Sequence, residues 1–98
     1  MKTPSEMIVR STLRKLGLSN VRIAKALRAR KCKGVRGDST KCVLVEYLSK
    51  KFPSCKWEVC DTIQGKRDGI AAVFIETPQH LNRFIHAFDD GKFEYLTK

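Results

Sequence analysis

The hydrophobic pattern of this sequence changes its period at Pro53, and that change limits what the chain can fold into. Before Pro53, apolar residues recur every three or four positions, which is the spacing of amphipathic helices. From residue 56 onward they alternate, which is the spacing of a β-strand. Because proline cannot continue a helix, it marks the boundary between the two patterns. The chain is therefore predicted to be α+β, with helices first and a sheet after them.

Three helices are predicted before this boundary. The first starts at the Thr3–Pro4 pair, with threonine as the cap and proline in the first turn. In the second helix, Ile23, Ala24 and Leu27 share an inner face. Three basic residues of the second helix share its other side and form a cationic stripe: Arg22, Lys25 and Arg28. The sequence thus predicts an amphipathic helix with a positively charged outer face.

The second helix is predicted to stop at Gly34, and the third to begin with Asp38 or Ser39 as its cap. The third helix has a predicted core face consisting of Leu44, Val45, Leu48 and Phe52. Its predicted outer face consists of Ser39, Val43, Glu46 and Lys50.

A β-hairpin and a final helix are predicted after Pro53. Residues 56–64 and 70–76 form the two strands, and residues 65–69, with glycine at both ends, form the turn. The Thr77–Pro78 pair repeats the helix start, and Gly91 ends this fourth helix. The predicted order is αααββα in a single compact domain over residues 1–98.

Positive charge is concentrated in the first half of the chain. The net charge is +10, and residues 1–53 hold fourteen lysines and arginines against three acids. Residues 22–41 alone hold eight cations and one acid, Asp38. Such a local positive potential favours a polyanion, DNA or RNA, as partner. The predicted nucleic-acid contacts are Arg22, Lys25, Arg28, Arg30, Lys31, Lys33, Gly34, Arg36, Gly37, Lys41 and, in the hairpin turn, Lys66 and Arg67.

A GXXG sequence, GVRG at residues 34–37, lies at the centre of this basic stretch. Two glycines three apart let a backbone approach a phosphate closely. From residue 34 to about residue 88, the loop, helix, strands and final helix resemble the KH nucleic-acid-binding module. In KH domains the GXXG loop clamps the backbone of about four nucleotides. The resemblance therefore implies phosphate contacts by Gly34, Val35, Arg36 and Gly37.

A winged helix is an alternative reading of the same order of elements. Three helices followed by a hairpin suit that fold, and Lys66 and Arg67 would lie at the tip of the wing. The third helix would then read the major groove. Val43 and Glu46 on its predicted outer face disfavour this, because a recognition helix needs polar and basic side chains there.

A fainter resemblance covers nearly the whole chain. It runs through the following residues: Ala26-Leu27-Arg28, the GVRGD segment at residues 34–38, Cys42, Tyr47-Leu48, Phe84, Phe88-Asp89, Gly91, Tyr95 and Leu96. On these residues the chain looks like a group of small actinobacterial and phage-type proteins. No established function is associated with that group, so the likeness implies a single compact domain and no particular chemistry.

No catalytic or metal-binding constellation stands out. The four cysteines lack the C-x-x-C pairs of common zinc sites, and His80 and His86 are six apart on a helix. No catalytic residue, metal ligand or cofactor is therefore predicted. The absence of a long apolar run or signal-like segment favours a cytoplasmic protein that does not bind membranes, as a monomer or weak dimer.

The function predicted from sequence is thus non-enzymatic nucleic-acid binding through the basic helix and the GXXG loop. The alternative is a small phage or bacterial regulator whose basic face steers it to an acidic protein partner. In that case an exposed Val43, Phe93 or Tyr95 would supply the apolar anchor.

Overall fold

Four α-helices and a three-stranded antiparallel sheet make up residues 4–97, the part of the chain that this computed structural model describes. The elements are, in order, α1 (Glu6–Arg14), α2 (Asn20–Ala29), α3 (Val43–Lys51), β1 (Lys56–Val59), β2 (Thr62–Arg67), β3 (Ile70–Glu76), α4 (Gln79–Asp89) and a short 3₁₀ helix (Glu94–Leu96). Three helices precede the sheet and one follows it, which confirms the predicted α+β class. Thr3 lies outside the described residues, and the hydroxyl of Ser5 caps α1 by accepting from the Ile8 N–H.

The sheet has a third strand because the predicted strand 56–64 is broken at Cys60 and Asp61. The Cys60 N–H donates to the Thr62 carbonyl at 3.0 Å, which closes a tight turn between β1 and β2. Thr77 fixes this turn from the far end of β3, since its hydroxyl donates to the Cys60 carbonyl at 2.6 Å and its N–H donates to the Asp61 carbonyl. Thr77 therefore anchors the sheet, and α4 begins after Pro78.

The turn between β2 and β3 is shorter than predicted. Asp68 and Gly69 both have positive φ, 54° and 80°, as a two-residue type I′ hairpin loop requires. Lys66 and Arg67 are therefore strand residues of β2, paired with Ala71 and Ile70 of β3.

One face of the sheet is buried against the helices. The side chains on this face are Trp57, Val59, Ile63, Val73 and Ile75. Trp57 also ties the end of α3 to β1, because its indole N–H donates to the Phe52 carbonyl at 3.1 Å. Its ring lies so close to Gly65 that any Cβ there would come within 2.9 Å of it. Glycine at residue 65 is thus a packing requirement of the sheet.

Helix α3 is buried on more than one side. It begins at Val43, and the predicted cap Asp38 instead accepts hydrogen bonds from the N–H and hydroxyl of Thr40. These bonds lower the Asp38 pKa. The prediction that Val43 faces outward is wrong, since Val43 is fully buried, as are its neighbours Leu44 and Leu48. A recognition helix needs an exposed reading face, which α3 lacks over its first two turns.

Helix α2 ends earlier than predicted. Its last helical residue is Ala29, and Lys31 adopts the left-handed conformation, φ 57°, that glycine more often supplies. The Cys32 N–H donates to the Leu27 carbonyl and the Lys31 N–H to the Arg28 carbonyl, both at 3.0 Å. This pair of bonds is a Schellman motif, so the prediction that Gly34 stops the helix is wrong.

Candidate nucleic-acid interface

The outer face of α2 carries the cationic stripe that the sequence predicts. Arg22, Lys25 and Arg28 are all exposed, while Ile23 and Leu27 on the opposite face are fully buried. Within residues 4–97, no carboxylate forms an ion pair with any of these three cations. The stripe therefore presents positive charge that the described part of the protein leaves uncompensated.

An aromatic ring adjoins this stripe. The Arg28 guanidinium carbon lies 5.0 Å from the centre of the Tyr95 ring, and Tyr95 is 43% exposed. Tyr95 is held in place from behind, since Phe93 contacts its ring edge-on at 6.4 Å and the next residue, Leu96, is fully buried. The 3₁₀ helix packs against α2 and so adds a planar surface to a row of cations.

The C-terminal segment also fixes the GXXG loop. The Gly34 N–H donates to the Leu96 carbonyl at 2.8 Å, and Gly34 forms a parallel bridge with Thr97. This tie brings exposed Lys33 next to the segment that carries Tyr95. Lys33, which directly precedes the GXXG loop, therefore adds an exposed cation beside the C-terminal segment.

Gly34 itself is buried against backbone. A Cβ at this position would lie 2.1 Å from the Val43 nitrogen and 2.6 Å from the Cys42 carbonyl carbon. Its glycine identity is therefore explained by the start of α3, which crosses it at close range. With its N–H bound to Leu96, Gly34 has no donor left for a phosphate.

Arg36 and Gly37 bind the C-terminal end of α4. The Arg36 Nε donates to the Phe88 carbonyl at 2.7 Å and its Nη2 to the Lys92 carbonyl at 3.0 Å. The Gly37 N–H donates to Oδ1 of Asp89 at 2.9 Å. Arg36 therefore places its positive charge at the negative end of a helix dipole. Nothing in the sequence around Asp89 signals this contact, because its partner is fifty-two residues away.

The remaining predicted contacts are divided between two regions. Arg30 donates to the Ala26 carbonyl, and its guanidinium lies 5.7 Å from the Tyr47 ring, while Lys31 and Lys41 are exposed near the loop. Lys66 and Arg67 lie in the hairpin, where they line a groove with Pro53, Lys56 and Gly69 and with no residue of α2. The predicted contacts therefore do not form one continuous surface.

The cysteines do not assemble a metal site among the described residues. No group of three His, Cys, Asp or Glu side chains in residues 4–97 is placed to hold a metal ion. All four cysteines are free thiols, with Cys32, Cys42 and Cys55 buried and Cys60 exposed. Burial raises the pKa of Cys32 and that of Cys42, so neither has the character of an activated thiolate.

Comparison with known proteins adds no family and no function to this geometry. No protein-family model matches the chain, and neither the curated proteins nor the solved structures gave a match. The resemblances to the KH module and to small phage-type proteins therefore stay predictions. Over residues 4–97, none of the helices combines the length and apolar character needed to cross a membrane.

Proposed function

We propose that this protein binds nucleic acid without catalysing a reaction, through the exposed cations of α2, Lys33 and the ring of Tyr95. The observation that carries this proposal is the stripe of Arg22, Lys25 and Arg28, which is exposed, unpaired within residues 4–97 and next to an exposed aromatic side chain. Like charges on one helix face repel each other, so the stripe costs stability in the free protein. A polyanion removes that cost and releases its own counterions on binding.

The arrangement favours a single strand over a duplex. Phosphates would lie along the cations, and an unstacked base would lie on Tyr95, whose ring already has the Arg28 guanidinium beside it. Because a base inside a duplex cannot reach such a ring, duplex binding would use the cations alone. Few side chains near the stripe can read base edges, so sequence preference is expected to be modest.

The test is a salt series with labelled single- and double-stranded DNA and RNA of equal length. With about four phosphates neutralised, log K should fall against log salt with a slope of about −3 for single strands. Tight binding at low salt with this slope supports the proposal. A slope near zero, or no binding at low salt, overturns it.

A charge-matched pair of variants locates the surface. Arg22→Gln/Lys25→Gln/Arg28→Gln removes three cations from α2, and Lys51→Gln/Lys56→Gln/Lys66→Gln removes three exposed cations from the side of the molecule where α3 ends and the hairpin begins. Both lower the net charge equally. The α2 variant should lose affinity and about two units of the single-strand salt slope. If the second variant loses as much as the first, binding is a general charge effect or uses the hairpin.

A protein partner remains the second candidate, on one specific observation. Leu18 and Val21 are 65% and 57% exposed and precede Arg22, around the start of α2. Exposed apolar side chains next to cations can anchor a partner that the charge attracts. Of the three anchors predicted from the sequence, Val43 is buried, Phe93 is half-buried and Tyr95 is exposed. Val21→Ser should leave nucleic-acid affinity unchanged, and loss of affinity for a partner would favour this alternative.

A further inference from the structure

A second basic site lies away from the outer face of α2. A groove of about 500 Å³ opens between α1, the turn that follows α1 and the start of α4. The residues lining the groove are Arg10, Arg14, Leu18, Pro78 and His80. Two of these five side chains are permanently cationic and none is acidic, so the groove is a positive site with apolar walls.

The two arginines reach the groove from the same helix. Arg10 and Arg14 are four residues apart on α1 and are exposed, whereas the preceding residues Val9 and Leu13 are buried. Like charges at this spacing repel, and within residues 4–97 neither forms an ion pair. Two guanidinium groups four residues apart are well placed to hold one oxyanion between them.

His80, which lines the groove, has an unsatisfied ring nitrogen. Its Nε2 is buried and, among the described residues, has no hydrogen-bond partner. Buried polar atoms normally have partners, and one left without a partner calls for an explanation. Burial lowers the His80 pKa, and the two charged groups acting on the imidazole, Arg83 of α4 and Arg14 of α1, are both cations that lower it further. An anion in the groove would supply a balancing charge for these cations.

We propose that this groove binds a phosphate group. The two guanidinium groups would hold its oxygens, and His80 would take up a proton and donate the remaining hydrogen bond. No side chain caps the start of α4, so the positive end of its dipole would also favour an anion. The site does not depend on this contribution. Leu18, which is 65% exposed, and Pro78 offer an apolar surface for the sugar or base attached to the phosphate.

The phosphate could be an internal diester of a strand or a terminal monoester. The inference that the phosphate belongs to a nucleic acid rests on the proposed function. The inference that the groove binds a phosphate does not. A strand held on α2 would place one of its phosphates here, or the groove would select strand ends. The chemistry of recognition is the same in both cases.

The test follows the two histidine side chains by NMR, with His86 as an internal reference in the same spectrum. The pH is titrated in the absence of ligand, in inorganic sulfate, and with a twelve-nucleotide single strand with or without a 5′-phosphate. Sulfate is used because its charge does not change over the range in which histidine titrates. A bound anion should raise the His80 pKa and leave His86 unmoved.

Each outcome has one meaning. A rise in the His80 pKa with sulfate and with both strands supports a site for any phosphate, and a rise limited to the 5′-phosphorylated strand supports a terminal-phosphate site. No rise with any of the three overturns the groove proposal. If the strands bind without changing the His80 pKa, the proposed function is supported and the groove proposal is not. If sulfate raises the His80 pKa but no strand binds, only the groove proposal is supported.

Matched variants separate the site from a general charge effect. Arg10→Gln/Arg14→Gln removes both guanidinium groups and should abolish the anion-induced rise. Arg83→Gln removes a cation that acts on His80 but does not line the groove. It should raise the pKa of ligand-free His80 and preserve the further rise on adding sulfate. Loss of the sulfate effect in Arg83→Gln but not in the double variant would contradict the assignment.

Discussion

Asp89 accepts a hydrogen bond from the Gly37 N–H at 2.9 Å, so a carboxylate of α4 occupies a donor of the GXXG loop that the sequence predicts to meet a phosphate. Arg36, in the same loop, donates to two carbonyls at the same helix end. A KH-type clamp presents this loop to a nucleotide backbone. Here the loop instead closes the negative end of α4, and the exposed cations of α2 lie outside it.

Gly34→Ala should destabilise the protein more than Gly37→Ala. At residue 34 the new Cβ would collide with backbone atoms of Cys42 and Val43, at a cost of about 3 kcal/mol or more in the free energy of unfolding. At residue 37 the space is open but φ is +73°, so about 1 to 2 kcal/mol is expected from strain alone. Urea unfolding of both variants measures the difference. Equal effects would mean that Gly34 is not held against α3.

Arg36→Gln should mainly lower stability, whereas Lys33→Gln should mainly weaken binding. Loss of the Arg36 guanidinium removes its hydrogen bonds to the Phe88 and Lys92 carbonyls and should cost about 1 to 3 kcal/mol, with the salt slope unchanged. Lys33 is exposed, so Lys33→Gln should change stability by less than about 0.5 kcal/mol while lowering the salt slope by about one. Unfolding curves and a salt series on the same samples check both. A reduced slope for Arg36→Gln would return the GXXG loop to the interface.

Tyr95→Leu should weaken single-strand binding while leaving duplex binding nearly unchanged. Loss of a stacked base costs about 1 to 3 kcal/mol, or roughly fivefold to 150-fold in affinity. Tyr95→Phe keeps the ring beside Arg28 and is the matched control. Calorimetric titration with a single strand and with its duplex measures both affinities. An equal loss for the two polymers would show that Tyr95 acts through the fold.

The stability of the ligand-free protein should fall as the pH drops through about 6.5, the ordinary value for histidine. Burial, Arg83 and Arg14 lower the His80 pKa in the folded state, so the unfolded chain binds its proton first. The stabilisation is therefore present above pH 6.5 and lost toward the lowered folded-state pKa. His80→Gln should flatten the pH dependence in this window, measured by urea unfolding in a buffer free of phosphate and sulfate. An unchanged pH profile in His80→Gln would exclude His80 as the cause.

Cys60 should be the one cysteine among the four that alkylates rapidly in the native protein. Cys32, Cys42 and Cys55 are buried, and burial raises the pKa of Cys32 and of Cys42, which reduces their thiolate fraction further. Iodoacetamide at a pH of about 8 followed by mass spectrometry should show one fast addition, and Cys60→Ser should remove it. A second fast addition would indicate local opening near one of the buried thiols.

The elements that the sequence predicts well are those with one buried face. The inner face of α2 and the end of α4 at Gly91 follow from local spacing and from the preference for glycine after a helix. The prediction that Val43 faces outward assumes that only one side of α3 is buried, whereas α3 is covered on several sides. The break at Cys60 and Asp61 contains neither glycine nor proline, and two of the hydrogen bonds that hold it come from Thr77, far along the chain.

In the candidate site, too, the features set by local sequence can be predicted and those set by distant contacts cannot. The cations of α2 can be found from sequence because charge and helical spacing are local properties. Whether a glycine serves a ligand or a packed backbone depends on what crosses it, and Gly34 meets Val43 only in the folded chain. Arg10 and Arg14 do give a local signal, a like-charged pair at i and i+4, but its meaning depends on His80 from α4.

The packing of Trp57 gives the protein a built-in optical probe. Trp57 is the single tryptophan, it is 4% exposed, and its ring is pressed against Gly65. Its emission should shift to longer wavelength when the sheet separates from α3 and water reaches the indole. Neither proposed binding surface includes Trp57, so the folding of each variant described above can be followed by intrinsic fluorescence without interference from a bound ligand.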